Sequence, residues 1–336
     1  YIGYAPSVMA NDQLTWETTD QWNVGVDFGF LKNRINGTVE FYLQNTKDLL
    51  LKRQLPVVSG FSSVMSNVGS TRNKGIEITL NTRNIMNRNF TWSTDLTFSA
   101  NKEEIVELYN GKTDDVGNLW FIGQPIDVYY NYKKIGIWQN TENDLAEMAK
   151  FNEKGANFKP GSIRLEDVDG DYKITEEDKQ ILGSVRPKFV ASMVNNFEFK
   201  GFDLSVFLYA SVGGLLRNNI EFMEKPGRGN TVKVDYWTPT NPTNAFPRPS
   251  VDVEKLDYIS TLGYDKADFL RIRNITLGYT LPEMWSKKVL MDKIRIYLSA
   301  NNPAIFTNFT GIDPEGANGR TAPSYSTWMF GINLSM

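Results

Sequence analysis

The stretch DVDGDYKITEED, residues 167–178, gathers oxygen donors at a spacing that suits a hard cation. Asp167, Asp169 and Asp171 occupy positions 1, 3 and 5 of the loop. Lys173 at position 7 can offer its backbone carbonyl, Thr175 stands at position 9, and Asp178 closes the loop at position 12. Ile174 at position 8 is the usual apolar anchor. Such an EF-hand- or dockerin-like loop wraps one Ca²⁺ in about six to eight oxygens. Two positions depart from the pattern: Tyr172 stands at position 6, where glycine normally permits the sharp turn, and Asp178 reaches less far than glutamate. The same residues also read as a plain acidic turn, with Thr175 as N-cap and Glu176, Glu177 and Asp178 in the first turn of a short helix. Either way the role is structural. General acid catalysis needs a carboxyl raised by desolvation in a cleft, and an open, charged loop offers little of that.

Composition narrows the chemistry further. The 336 residues contain no cysteine and no histidine, which removes thiolate metal sites, disulfides, Cys nucleophiles and His-dependent triads. Few enzymes of this length lack both. A net charge of −3 gives no electrostatic case for nucleic acid. Aromatic content is 13%, yet mean hydropathy is negative, a mix that fits many amphipathic strands better than buried helices. No apolar run reaches the ~18 residues of a transmembrane helix. No signal peptide opens the chain, and residue 1 falls in polar, loop-like sequence, so the chain reads as a piece of a longer polypeptide.

The elements that carry the acidic loop are strands. In WNVGVDFGF, residues 22–30, Trp22, Val24, Val26, Phe28 and Phe30 alternate with small or polar residues, which puts one apolar and one wet face on a strand. The alternation recurs through Ile35, Val39, Phe41 and Leu43, through Ile76, Ile78 and Leu80, and through Phe90, Trp92, Leu96 and Phe98. It returns in Phe202, Leu204, Val206 and Leu208, in Ile294, Ile296 and Leu298, and in Trp328, Phe330, Ile332, Leu334 and Met336. In FLRIRNITLGYTLP the phase changes, and one extra residue near Arg273–Asn274, a β-bulge, restores the face. Eleven strands result, near 22–30, 35–45, 75–84, 90–100, 117–123, 127–138, 188–199, 202–212, 268–281, 293–303 and 325–336. Tight turns (31–34, 84–89, 200–201, and the longer 282–292) then fall at one end of the sheet and long loops (46–74, 139–187, 213–267, 304–323) at the other.

Short turns on one rim and long loops on the other are the habit of outer-membrane barrels. Strands of about 9–11 residues match a tilted crossing. The wet face carries Asp27, Glu40, Glu77, Asp95, Asp203 and Arg295, as a hydrated lumen would, and Trp22, Phe30, Trp92 and Trp328 stand near strand ends at headgroup level. The competing reading is a soluble β-sandwich in which the apolar face is core. The fold expected is all-β, an antiparallel transmembrane β-barrel.

Several stretches, in order along nearly the whole chain, resemble the SusC/RagA family of TonB-dependent outer-membrane transporters of Bacteroidota: QLTWETTDQWNVGVDFGFLKNRINGTVEFYLQNTKDLLL, NVGSTRNKGIEITLNT, IGQPIDVYYNYKKIGIWQ, DVDGDYKITEEDKQILGSVRPKF, FKGFDLSVFLYASVGG, FLRIRNITLGYTLP and FTGIDPE. The resemblance implies a 22-stranded barrel with an N-terminal plug, of which residues 1–336 would be the C-terminal half, with residues 160–187 as an extracellular acidic loop inserted between strands. It also implies a SusD-like lipoprotein lid, energy from TonB, and location in the bacterial outer membrane. Two features depart: the family's acidic loop reads closer to D-x-N-G-D-G, and the final strand, which commonly ends on an aromatic, ends here on Met336. Half a barrel would not fold alone, since it leaves open edges in lipid.

The expected function is import of a bulky nutrient, with oligosaccharide as the default by family and oligopeptide as the competitor. Trp120, Tyr129, Tyr130, Phe207, Tyr209, Tyr236 and Trp237 are aromatics of the wet face and long loops that could stack on sugar rings or apolar peptide side chains. Most aromatics in such loops pack the loops themselves. A passive porin or an adhesive surface β-protein is the alternative. A hydrolase has a poor case, with its carboxylates in loops and no His or Cys.

Overall fold

The computed structural model describes residues 9–218, 234–249, 257–316 and 324–336; the opening stretch 1–8, read above as loop, lies outside them. Nine antiparallel strands form one sheet in simple chain order: β1 (Thr18–Phe30), β2 (Ile35–Lys47), β3 (Ser70–Met86), β4 (Phe90–Glu107), β5 (Phe189–Phe199), β6 (Phe202–Val212), β7 (Phe269–Thr280), β8 (Lys293–Thr307) and β9 (Thr327–Ser335). The sheet is an open arc of a barrel wall, with β1 and β9 at its edges.

Two of the eleven expected strands are not in the wall. Residues 117–123 form no strand: Asp115 caps a 3₁₀ turn at Val116–Asn118, and Leu119 at φ +61° breaks the extended path. Residues 127–138 split into Val128–Tyr132, which pairs with Lys179–Ser184, and Lys134–Ile137, which pairs with Ile163–Leu165. The alternation there is real, but its partners are other parts of the same excursion. Because both strands drop out together, the direction of every later strand is unchanged and the short-turn and long-loop rims stay as expected.

At the short-turn rim β5 and β6 are joined by Lys200 and Gly201 alone, at φ +46° and +89°. Left-handed conformation at both central residues matches the strand twist, and a methyl on Gly201 would meet the Thr280 carbonyl oxygen at 2.9 Å. The bulge expected near Arg273 is present: Phe207 faces Asn274 while Leu208 faces Ile272, so Arg273 is the extra residue.

The register settles what each face meets. Val26, Val39, Ile78, Phe98 and Ala191 lie in one row across five strands, and Leu204, Leu277, Leu298 and Phe330 in another. These side chains point away from any protein layer. On strands flanked on both sides, Phe41, Leu277 and Leu298 are still 55%, 48% and 47% exposed. A sandwich would have buried them. From Trp92 to Ala100 the outward positions of β4 cover about 27 Å of strand at ~3.4 Å per residue, or about 21 Å of height at a ~40° tilt, close to the ~25 Å apolar band of such barrels. The opposite face is polar: Thr97 and Ser192 share a hydrogen bond of 2.6 Å, and Arg295 donates to Asp203 over 2.8 Å. The pair spans Gly278 on the strand between, where a methyl would overlap both side chains.

Buried hydrophobic clusters lie in the long-loop excursions. One joins Ile137, Ile163, Leu165, Trp237 and Leu262; a second joins Trp138, Met148, Phe151 and Phe158. The second is built on helix α1 (Glu142–Glu153), with Thr141 as N-cap, Glu142 and Asp144 in the first turn and Lys150 in the last. Met148 and Phe151, three residues apart, share its buried face.

Candidate functional site

The acidic loop sits on the second cluster. Asp167, Asp169 and Asp171 can bring one oxygen each to within 4.8 Å of one another. The backbone folds around them: Asp167 accepts from the amides of Gly170 and Tyr172, Asp169 from that of Asp171, and Asp171 from that of Lys173. Tyr172 adopts φ +62°, the left-handed turn that glycine usually supplies at this position. That conformation costs a bulky residue about 1–2 kcal/mol. Its ring stands edge-on to Phe151 at 5.5 Å and carries the Lys150 ammonium at 4.9 Å, contacts worth about 0.5–1.5 kcal/mol each. Packing thus offsets the strain. Ile174, the apolar anchor, packs against both clusters.

Asp178 has a different place. It is fully buried, and its two oxygens accept from the amides of Val168 at 2.8 Å and Thr175 at 2.7 Å. Thr175 returns the bond as N-cap of the 3₁₀ turn Glu176–Asp178, completing a capping box. The acidic-turn reading is therefore present in full, and Asp178 bolts the loop shut outside the trio. The two readings are compatible. Among the described residues Asp169 and Asp171 each keep one oxygen without a hydrogen-bond donor, and every carboxylate oxygen has a second lone pair. The trio thus retains the donor chemistry for a hard cation.

Next to the excursion, at the mouth of the wall, Arg271 is buried and pairs with Asp313 at 2.7 Å and, through Nε, with Glu315 at 3.0 Å. Arg273, on the bulge, also pairs with Glu315 and covers the Tyr209 ring at 4.8 Å. Burial alone would raise the Asp313 carboxyl. The amides of Glu315 and Ser324, the Ser324 hydroxyl and the Arg271 guanidinium outweigh it and hold the group at about 2. Asp313 and Glu315 belong to the FTGIDPE stretch. No local signal tied them to two arginines some forty residues earlier. Nearby, the Lys134 ammonium donates to the carbonyls of Asn244 and Ala245 at 2.8 and 2.7 Å, and burial lowers it from its ordinary range.

The aromatics singled out in the sequence do not converge. Trp237 is in the first cluster, its indole N–H donating to Gln139 at 2.8 Å. Tyr129 stacks edge-on to Tyr264 at 5.2 Å, and Tyr130 lies 4.8 Å from Phe121. Trp120 is half-buried beside Asp115. Phe207 and Tyr209 line the wet face of β6, and Tyr236 is exposed. A cavity of about 510 Å³ opens where wall meets excursion, lined among others by Asn101, Glu103, Gln124, Arg186 and Phe189. Arg186 crosses it, pairing with Glu103 at 3.2 Å and Asp127 at 3.0 Å.

With this geometry in hand, comparison with known proteins gives a consistent result. A family model described as "TonB dependent receptor-like, beta-barrel" matches residues 1–328. TonB-dependent receptor P3 of Formosa agariphila is 32% identical over 97% of the chain, and TonB-dependent receptor SusC of Bacteroides thetaiotaomicron is 30% identical over 96%. Those matches cover 35% and 32% of the relatives, so the chain spans about a third of the length of the curated relatives it matches. A solved structure of the RagAB peptide importer in its open-open state superposes with a TM-score of 0.76 at 26% identity, over 98% of this chain and 36% of that one.

Proposed function

The chain belongs to the TonB-dependent receptor-like β-barrel family of outer-membrane proteins, and on that premise we propose that it supplies part of the wall and mouth of a transporter importing a bulky nutrient with energy from TonB. The observation that carries this reading is the two-faced wall: apolar side chains uncovered outside, polar ones inside, long structured loops on one rim. Lipid is the solvent that such an outer face requires. The family resemblance supports oligosaccharide as the first substrate class. The fold shared with a peptide importer supports oligopeptide as the second.

The arc needs other strands to close. β1 and β9 are the first and last of nine alternating strands and so run in the same direction. Antiparallel closure therefore takes an odd number of further strands, which an N-terminal half of the same transporter, with its plug, would provide. A SusD-like lipoprotein lid is the partner proposed for the long loops. Tyr209, Phe207 and Tyr236 are the aromatics best placed to meet ligand. The passive porin or adhesin reading has no observation of its own in its favour.

Asp167, Asp169 and Asp171 are proposed to hold a structural Ca²⁺ that would neutralise three converging carboxylates. Titration of the intact receptor with Ca²⁺ should show binding that Asp169→Asn with Asp171→Asn removes; no heat in the unaltered protein would dismiss the ion. For transport, cells lacking the receptor should lose uptake of labelled oligosaccharide, and loss of TonB should have the same effect. Uptake that persists without TonB would point to the porin, and loss of peptide uptake alone would reverse the substrate order.

A further inference from the structure

Just beyond the apolar band, on the long-loop side, the outward face turns basic. Lys74 and Lys102 are directly opposite each other on β3 and β4. They stand one outward position above Ile76 and Ala100, which are themselves paired. Leu43 and Trp22 continue the lysine row on β2 and β1. One step higher Arg72 donates to Asn45 at 3.0 Å, and Lys47 stands in phase beyond it. The acids in these rows are Asp20, Glu104 and, in register with Lys47 across Ser70, Glu107; Glu104 is shared by Arg72 at 3.5 Å and Lys102 at 3.4 Å. Among the described residues Lys47 and Lys74 have no anionic partner. Like charges directly opposite on one face destabilise a strand pair; Lys102 leans on Glu104, and Lys74 has no such acid beside it.

We propose that this outward basic row, Lys74 and Lys102 with Arg72 and Lys47, is a docking surface for the phosphate groups of membrane lipid headgroups. The inference rests on the membrane reading of the wall. Charge complementarity and depth carry it. The row begins one side-chain step above the hydrocarbon-facing band, where lysine stems can lie along apolar surface and place their ammonium groups at headgroup height. Trp22, in the same row, is the amphipathic ring expected at that level. An anion there would relieve the Lys74–Lys102 repulsion, as no side chain on β3 or β4 does for Lys74.

The test uses the intact receptor extracted in detergent. Phosphate-bearing lipid retained per protein is measured by mass spectrometry for the unaltered protein, for Lys74→Gln with Lys102→Gln, and for Lys200→Gln at the opposite rim. Affinity for the phosphorylated lipid should drop about fivefold per lysine removed in the double variant and stay unchanged in the rim control. A second measurement needs no variant: a bis-phosphorylated lipid should raise the melting temperature of the unaltered receptor more than the same acyl chains without phosphate. Equal stabilisation by both lipids, or full retention in a folded double variant, overturns the proposal. A receptor that stays dispersed without any detergent would instead refute the membrane reading itself.

Discussion

Leu96 and Phe98 on β4 present their side chains to the outside of the wall, half-buried among side chains of neighbouring strands; some forty residues later Ile137 and Trp138 are each 1% exposed inside the excursion. Both regions are rich in large apolar residues, and they dispose of them oppositely. The wall has no interior of its own. It is held by backbone ladders from β1 to β9, and its apolar residues suit a solvent that is not water. The excursion stands at the aqueous rim and must bury what it carries, so it builds a small helix, short strand pairs and two aromatic clusters. The same residue type therefore carries a different energetic meaning in the wall and in the excursion.

Substitutions that respect one regime and violate the other break the comparison most sharply. Trp138→Ala should cost about 3–5 kcal/mol of excursion stability, as truncation of a buried aromatic does. Limited proteolysis should find residues 134–178 cut readily while the wall keeps its heat-modifiable mobility on gels. In the wall the sensitive change is the reverse, a charge on the outer face. Phe98→Arg should cost about 2–4 kcal/mol, whereas Thr97→Arg, one residue away but facing inward, should be nearly silent. Urea unfolding from vesicles reads both, and equal costs at the two positions would erase the distinction between faces.

The joint between the regions should respond to acid late. Asp313 is held at about 2, below its ordinary 3.8, so its stabilising contribution is complete above about pH 4 and is lost as pH falls towards 2. Pepsin should spare residues 309–316 at pH 4 and cut them near pH 2, and Asp313→Asn should open the segment at both values, a loss of about 1–3 kcal/mol. The smallest effect expected is at Tyr172. Replacement by glycine removes left-handed strain and aromatic contact together, so Tyr172→Gly should shift loop stability by less than about 1 kcal/mol. A larger loss would mean that the ring, not the turn, organises the acidic loop.

What was legible in the sequence follows the same division. The wall was readable because each strand writes its two faces locally: the extra residue at Arg273 was visible as a change of phase, and the turn at Lys200–Gly201 as a gap in the pattern. Residues 127–138 alternate just as well, but alternation does not say which strand is the partner, and these pair within the excursion. The helix at Glu142–Glu153 had local signals, with Thr141 as cap and acids in the first turn, that a reading tuned to period two passes over. The Arg271–Asp313 joint had none, because pairing across forty residues is decided by where the loop lands. In the acidic loop the spacing identified the trio of aspartates. The burial of Asp178 against backbone amides depends on the cluster beneath it.

The most direct test of lipid against the outer face is site-directed spin labelling, which this chain favours because it has no cysteine of its own. Single cysteines at Val24, Val26, Leu96 and Phe98, and at Gly25, Asp27, Asp95 and Thr97 between them, are labelled in the intact receptor in vesicles. Apolar oxygen should relax the first set and a water-soluble nickel complex the second, alternating residue by residue along β1 and β4. Labels of the first set that are immobile and shielded from oxygen and nickel alike would mean that protein covers that face, and the barrel account would be wrong.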